Sequence, residues 1–505
     1  MSTHSIRTLE SELNNKEHIL EENPENTVRD TEIKKEPGTA ESAPKASTMH
    51  APATPVNNAF IVKISIVAAL GGLLFGFDTA VISGAIPYIT TYFKLDEYAL
   101  GGVVSVILLG CAMGAIVAGV LADRYGRRTI LLICAALFAV SGLGAGLSYH
   151  LSALIAFRLV GGLGVGAAAM ISPIYIAEVA PAAWRGRLVA LYQLAIVSGI
   201  LLAYFSNYLL DGAGASNWRW MFASQVAPSC IFGLLLFYVP ETPRWLMKQG
   251  HRNDALLILT KTSGQAVAEH EITEIESSFH DEAHTPLKLL FTSAYRPVLL
   301  IGIMIAVFQQ ITGINAILYY APVIFKEMGL DTSSSMLQTI GIGVVNVVST
   351  FIAITWVDKV GRRTFLLWGS CIMGISLLVV AVCFQYKYFD NYLVLIGMLA
   401  YVGAFGCTLG AVTWVYLSEI FPNRIRGLAM SISTLALWLA DFIIAGSFPV
   451  MVKHLGTPLT LSCYAVLCGI AVCYIMLKIR ETKGRSLEEI EQLFVKPSPS
   501  QIIKL

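Results

Sequence analysis

Residues 99–128 read ALGGVVSVILLGCAMGAIVAGVLA followed by DRYGRR: twenty-four residues without a charged side chain, then six of which four are charged. A bilayer core of about 30 Å is crossed by about 20 apolar residues of helix, so the first part has the length and composition of one crossing. Within hydrocarbon the backbone must satisfy its own polar groups, and a helix does so internally. Asp123-Arg124-Tyr125-Gly126-Arg127-Arg128 then marks the point where the chain meets water.

Similar stretches recur on both sides of this one, near 60–87, 129–148, 152–179, 187–210, 219–239, 296–325, 336–357, 364–385, 391–419, 428–451 and 458–478, twelve in all. The composition agrees, because 55% of the 505 residues are hydrophobic, only 14% are charged and the mean hydropathy is +0.65. An ordinary soluble domain is about a quarter charged, so the excess apolar surface calls for lipid. The expected fold class is therefore all-α, with twelve transmembrane helices. A net charge of +1 offers no basic field for nucleic acid. Nine cysteines lie inside apolar stretches without the spacing of a zinc site, and they read as small core residues rather than metal ligands or disulfide partners.

Loop charge sets the expected orientation, since short loops rich in Lys and Arg stay in the cytoplasm. Arg124, Arg127, Arg128, Arg185, Arg187, Lys359, Arg362, Arg363, Arg424, Arg426 and six more between 244 and 296 lie on one side, against Lys94, Arg219, Lys326, Lys387 and Lys453 on the other. Sixteen against five places both termini in the cytoplasm. Residues 1–58, with ten acidic and six basic residues and little apolar content, read as a disordered cytoplasmic tail and fit neither a signal nor a transit peptide. The expected layout is that tail, a six-helix bundle over 59–239, a cytoplasmic helical linker over 240–295, a second bundle over 296–478 and a cytoplasmic tail over 479–505. The linker holds a helical run at 251–262 and an acidic stretch from Glu269 to Glu282. The C-terminal tail opens with the amphipathic run 486–494, expected to lie against the cytoplasmic face.

The two bundles repeat each other. Asp123-Arg124-Tyr125-Gly126-Arg127-Arg128 returns as Asp358-Lys359-Val360-Gly361-Arg362-Arg363, Glu178 with Arg185 returns as Glu419 with Arg426, and Glu241-Thr242 returns as Glu481-Thr482. The offsets are 235, 241, 241 and 240, which is the mark of duplication. These acids and bases sit at cytoplasmic span ends, where carboxylate and guanidinium can pair between helices. They are expected to act as a cytoplasmic gate that latches in one state and breaks in another. The plainer reading is that the arginines only enforce topology, which would not require the matching acids.

On these residues, together with Gly76-Phe77-Asp78-Thr79-Ala80-Val81-Ile82-Ser83-Gly84, Pro240-Glu241-Thr242-Pro243-Arg244-Trp245-Leu246, Gln309-Gln310-Ile311-Thr312-Gly313-Ile314-Asn315 and the strip from Trp414 to Gly427, the chain resembles the sugar porter family of the major facilitator superfamily over about residues 58–495. The resemblance implies two pseudo-symmetric six-helix bundles around a central sugar site reached alternately from each side, the family's members either coupling sugar to protons or passing it downhill. The repeat and the loop charges support that architecture on their own.

A sugar carries hydroxyls and no charge, so its site needs amides for hydrogen bonds and aromatic faces for its C–H side. The seventh span offers Gln309, Gln310 and Asn315. On a straight helix Gln310 and Asn315 stand about 500° apart, so Gly313 is expected to unwind the helix between them. Gln193, Asn346, Trp414 and Trp438 are further candidates. The resemblance assigns Gln193, Gln309, Gln310, Asn315 and Trp414 to sugar contacts, with Phe75, Tyr319 and Trp438 lining the cavity. The alternative is that the amides join helices and the tryptophans fill space. Two departures from the family stand out: Leu437 replaces a Gln common in close sugar/proton symporters, and Asp441 stands where Asn is expected, as a second titrating group or a contact between helices.

Asp78 in the first span and Arg158 in the fourth lie within apolar helices, where an unpaired charge costs at least about 2.5–3.5 kcal/mol. They are expected to face each other, and a separation that changed between states would couple proton binding to transport. A fixed structural ion pair is the alternative. The family's proton symporters resemble this chain in carrying Asp at that place, where several uniporters carry Asn. The expected function is a proton-coupled monosaccharide symporter, hexose or pentose, working by alternating access as a monomer in the plasma membrane. Its partners are then the sugar, protons and the bilayer, with no nucleic acid, metal or cofactor. A facilitative uniporter and a non-transporting sugar sensor are the alternatives; no nucleophile-base pair or phosphate loop points to an enzyme.

Overall fold

The computed structural model describes residues 57–214, 216–281, 287–389, 392–422, 424–485 and 487–494, and all regular structure among them is helical. The tail expected over residues 1–58 thus lies outside the described residues except for its last two: Asn57 caps the first helix by accepting from the Phe60 N–H at 2.9 Å, so that the bundle begins at Asn58. Glu282 and Ser486, ends of two expected segments, also lie outside.

Among the described residues, ten helices have the length and apolar content of a crossing. The first span runs Asn58–Phe93, the second Glu97–Tyr125, the third Arg127–Gly146, the fourth Leu151–Val179 and the fifth Trp184–Leu210; the seventh covers Arg296–Glu327, the eighth Thr332–Val360, the ninth Arg362–Tyr386 and the tenth Leu393–Ile420. The helix Arg426–Lys478 is 53 residues long and holds two crossings, because Gly456, at φ 78°, bends it between the eleventh and the twelfth. The sixth crossing is a pair of short helices, Asn217–Ala223 and Val226–Leu236, instead of the single expected one. Twelve crossings result. The first proves longer than expected, since Pro87 is absorbed within its second half.

The repeat extends to the caps. Asp96 accepts from the Ala99 N–H at 2.7 Å to start the second span, and Asp331 accepts from the Ser334 N–H at 3.2 Å to start the eighth, again 235 residues on. Side-chain oxygens there satisfy donors that a helix leaves open at its N-terminus. Both spans end at a glycine of positive φ, Gly126 at 95° and Gly361 at 103°. The L residues avoid that conformation, and at Gly361 a Cβ would also come within 2.7 Å of the Glu481 carboxylate.

Within the first half, spans two and four approach backbone to backbone through Gly110, Gly114, Gly162 and Gly166, the small-residue contact of membrane helices. Ile116, Val117, Val120 and Leu121 of the second span face outward, as lipid-contacting residues do. Two of the nine cysteines also face outward, Cys230 and Cys473, so the expectation of core cysteines holds fully only for Cys111, Cys134, Cys383 and Cys468. The cause is that a lipid-facing position accepts a small apolar side chain as readily as the core does.

The connector between the halves forms helices Pro243–Lys248, Arg252–Ser263 and Gln265–Asp281, which pack around Leu246, Ala255, Ile258, Leu259, Ala268 and Ile272. Leu487–Phe494 forms the final helix and buries Ile490. At the face opposite the connector the halves are fastened together. Lys453 pairs with Glu97 at 2.9 Å, Gly101 packs on the Gly446 backbone, and the Tyr204 hydroxyl donates to the Leu318 carbonyl at 2.8 Å.

Candidate functional site

The seventh span breaks where the sequence suggested. Its helices end at Ile311 and restart at Ile314, with Gly313 between them at φ 93°. The Tyr401 hydroxyl donates to the freed Thr312 carbonyl at 2.9 Å, and the Tyr464 ring lies so close that a Cβ on Gly313 would stand 2.8 Å from it. The break turns Asn315 back toward Gln310, and its Nδ2 donates to Gln310 Oε1 at 2.9 Å despite the wide angle a straight helix would impose.

The amides form a chain with a definite direction. Gln309 Nε2 donates to the carbonyls of Leu409 at 2.9 Å and Gly410 at 3.2 Å, in a π-helical turn, Gly406–Gly410, that interrupts the tenth span. Backbone carbonyls only accept, so the Gln309 Oε1 faces Gln310, whose Nε2 donates to it at 3.4 Å. Asn315 in turn gives Nδ2 to Gln310 Oε1 and to Asp441 Oδ2, the latter at 2.7 Å. The chain ends on Asp441, fully buried in the eleventh span, whose Oδ1 has no hydrogen-bond partner among the described residues. The tenth span takes up the Gln309 amide nitrogen, which leaves its Oε1 to Gln310. Asp441 is a contact between helices, joining the eleventh span to the seventh through Asn315.

Around this chain, Phe75 of the first span and Trp438 of the eleventh bring their rings to 5.7 Å across the two halves. Trp438 is buried, yet among the described residues its Nε1–H has no hydrogen-bond partner, and the same holds for Asn346 Oδ1. Buried polar atoms are nearly always satisfied in a finished structure, so orphans beside an amide cluster are what a ligand site leaves open. Tyr319 is buried one turn beyond Asn315, while Trp414 and Gln193 are half-buried.

Asp78 and Arg158 meet as expected. Arg158 Nη1 donates to the Asp78 backbone carbonyl at 2.8 Å and to Oδ1 at 3.2 Å, and both side chains are 1% exposed. Among the described residues, Asp78 Oδ2 and two Arg158 nitrogens, Nε and Nη2, have no hydrogen bond within the usual geometry. Gln225, in the break of the sixth crossing, adjoins the Asp78 carboxyl and is fully buried. The expected site did not include it, although a lone amide in an apolar span is itself a signal.

The charged motifs gather at the connector face, and the structure selects the partners that the sequence left open. Glu178 engages Arg127, through Nε at 3.1 Å and Nη2 at 3.1 Å, rather than Arg185. Glu419 likewise engages Arg362, through Nη2 at 2.7 Å and Nε at 3.1 Å, rather than Arg426. Asp123 and Asp358 complete the two clusters at 3.0 and 2.9 Å. Arg185 acts electrostatically on Glu271 of the connector, and Glu491 of the final helix on Arg426. Seven residues are about two helical turns, and the chain leaves the span between acid and base, so the pair separates. Glu241 accepts from the Arg128 and Thr129 N–H groups, and Glu481 from those of Arg362, Arg363, Thr482 and Lys483. Burial pushes the Glu481 carboxyl up, but these backbone donors outweigh it and hold the group below the usual value of 4.5. In each half the carboxylate therefore clamps the start of one span to the end of another, and Arg128 and Arg363 tighten it by donating to span-end carbonyls.

Known proteins place this geometry. The family model described as "Sugar (and other) transporter" matches residues 64–494. The arabinose-proton symporter of Bacillus subtilis is 42% identical over 86% of this chain and 96% of its own length. The D-xylose-proton symporter of Escherichia coli is 40% identical over 87% of this chain and 97% of its own. Among solved structures, the partially occluded inward open conformation of the xylose transporter XylE from E. coli matches with a TM-score of 0.77 at 38% identity, covering 85% of this chain and all of that one. XylE bound to 6-bromo-6-deoxy-D-glucose matches with 0.74 at 39% identity, covering 87% and all of that chain. The protein is thus a multi-pass membrane protein and a transporter rather than an enzyme, and it belongs to the sugar (and other) transporter family, the sugar porters of the major facilitator superfamily.

Proposed function

We propose that this chain is a proton-coupled monosaccharide symporter working by alternating access. The observation that carries the reading is the Asp78–Arg158 pair, buried from solvent with one carboxylate oxygen unsatisfied. A carboxylate in that setting is sensitive to any change in the distance to its guanidinium, so a rearrangement of the halves alters its hold on a proton. The similarity to symporters named for arabinose and xylose supports the same reading.

The sugar is held by Gln310, Asn315 and Asp441, with Gln193, Asn346 and Trp414 completing the polar ring and Phe75, Tyr319 and Trp438 closing on its C–H face. Gln309 orients the amides. The connector face is cytoplasmic and the termini lie on that side, as the sixteen-to-five loop charges argue; the membrane is the plasma membrane, as uptake of an external sugar requires. The twin clusters keep each half rigid while the halves move. With the opposite face fastened by Glu97–Lys453 and Tyr204–Leu318, the described conformation is the one that exchanges solute with the cytoplasm.

The test is a reconstituted vesicle containing a trapped pH dye. Adding D-xylose, L-arabinose or D-glucose outside, in separate arms, is expected to acidify the lumen as labelled sugar enters, and a protonophore is expected to abolish accumulation above equilibrium. Sugar entry without acidification would reduce the protein to a uniporter; no entry of any sugar would remove transport of these sugars altogether.

A further inference from the structure

The two carboxylate clamps at the connector face are copies, but their surroundings are not. In the first half the clamp is Glu241 on the backbone N–H groups of Arg128 and Thr129, with the Arg128 guanidinium on the Leu236 and Phe237 carbonyls. In the second half it is Glu481 on the N–H groups of Arg362 and Arg363, with the Arg363 guanidinium on the Met476 carbonyl. At the 240-residue offset of these two glutamates, Tyr238, Pro240 and Trp245 correspond to Lys478, Arg480 and Arg485. One copy thus has no cation at any of the three positions and the other has three. The clamp forms in both, so the clamp does not require them.

Those three cations and Arg363 line one groove of about 410 Å³. The one lining carboxylate among the described residues, Glu481, already accepts from four backbone N–H groups, which leaves it poorly placed to neutralise the walls. Arg480 is anchored, with Nη1 donating to the Leu493 carbonyl of the final helix at 3.0 Å. On the membrane side the groove continues into Met476 and Leu477, both exposed, the latter 79%. Cations directly beyond the last apolar turn of a span, around a space much larger than the roughly 30 Å³ of one water, match a phosphate at headgroup depth whose acyl chains run down the apolar surface.

We propose that this groove is a binding site for the phosphate headgroup of an anionic phospholipid, seated at the end of the twelfth span. Four cations provide the charge, and the guanidiniums provide paired donors for phosphate oxygens. Bound there, the lipid ties the end of the twelfth span, the start of the ninth and the final helix together, in the second half only. Enforcing topology is a sufficient role for loop cations elsewhere, but topology needs neither a groove nor the asymmetry between the copies.

The test uses the full-length protein in a neutral detergent and follows its melting point. Phosphatidylglycerol is expected to raise it by about 3 °C or more, and phosphatidylcholine is not. The triple variant Lys478→Gln, Arg480→Gln, Arg485→Gln is expected to need at least about tenfold more phosphatidylglycerol for the same rise. A control triple, Arg252→Gln, Lys261→Gln, Lys288→Gln, removes the same charge from the connector and is expected to respond as the unaltered protein does. Equal loss in both triples would show a diffuse surface field and overturn the site, as would an equal response to the two lipids. Glycerol phosphate alone reproducing the rise at millimolar concentration would overturn lipid as the source and leave a soluble phosphate ester. If the triple does not fold, Arg485→Gln decides, lying on an exposed turn outside the clamp: an unchanged titration overturns the proposal, and a weakening of about threefold or more supports it.

Discussion

Each half of this transporter buries a carboxylate in its helices, and the two are held in opposite ways. Asp78 meets a guanidinium at 3.2 Å and a neighbouring amide, so its charge is balanced within the first half. Asp441 accepts from the Asn315 amide at 2.7 Å, at one end of an amide chain whose other bonds run from Asn315 to Gln310 and from Gln310 to Gln309. A charge balanced by an opposite charge responds to distance, which suits coupling. An acceptor at the end of an amide chain responds to what donates to it, which suits recognition of a hydroxyl. On the function proposed here, one fold places the proton in one half and most of the reading of the solute in the other.

The sharpest way to break this contrast is Asp78→Asn. It is expected to abolish accumulation entirely, bringing internal sugar only to equilibrium, while counterflow of labelled sugar in de-energised vesicles continues. Accumulation that survives the substitution would move the coupling elsewhere, with Asp441 first in line. Next in size is Gly313→Ala, which forces an L residue to φ 93° and drives a methyl into the Tyr464 ring. A cost of about 2–4 kcal/mol is expected, read as a fall in melting point together with loss of sugar binding. Unchanged binding would show that Asn315 reaches Asp441 without the break.

Asp441→Asn keeps an acceptor for Asn315 but turns the free oxygen into a choice of oxygen or N–H. Leaving a buried donor or acceptor unsatisfied costs about 1–3 kcal/mol, so affinities across a panel of single-deoxy sugars are expected to shift by on the order of tenfold to a hundredfold at one hydroxyl position. A uniform shift at all positions, measured by titration of tryptophan fluorescence, would reduce Asp441 to a helix contact. The smallest effect belongs to Glu481, a carboxylate outside the membrane that contrasts with both. Its folded-state pKa lies below the usual 4.5, so its stabilising contribution is full above that value and is lost as the pH falls through the folded one. Melting points taken between pH 3.5 and 7 are expected to fall at the acid end, and Glu481→Gln is expected to lower the neutral value and flatten that fall. An unaltered pH profile would mean that the backbone donors do not favour the charged form.

Much of the fold was legible because lipid makes hydrophobicity local. Apolar runs, loop charges and the 235- to 241-residue repeat can each be read without knowing any contact. The boundaries that went astray have local causes in the backbone: the sixth crossing breaks after Ala223 and the first runs on through Pro87. The meeting of Asp78 with Arg158 was legible too, since burying either alone costs too much. Partner choice at the connector face was not. Glu178 and Arg185 recur together along the chain, but it is Arg127, 51 residues earlier, that Glu178 engages, while Arg185 acts electrostatically on Glu271.

From the sequence by itself came the number of crossings, their grouping in two related halves, the positions of the ionisable residues in lipid and the weak point at Gly313. These follow from composition and from φ preferences that each residue carries wherever it stands. Only the tertiary structure decided which way each amide faces, because that direction is set by the Leu409 and Gly410 carbonyls about a hundred residues away and passed on bond by bond to Asp441. Hydrogen-bond polarity belongs to a network, and a network exists only after the helices have packed.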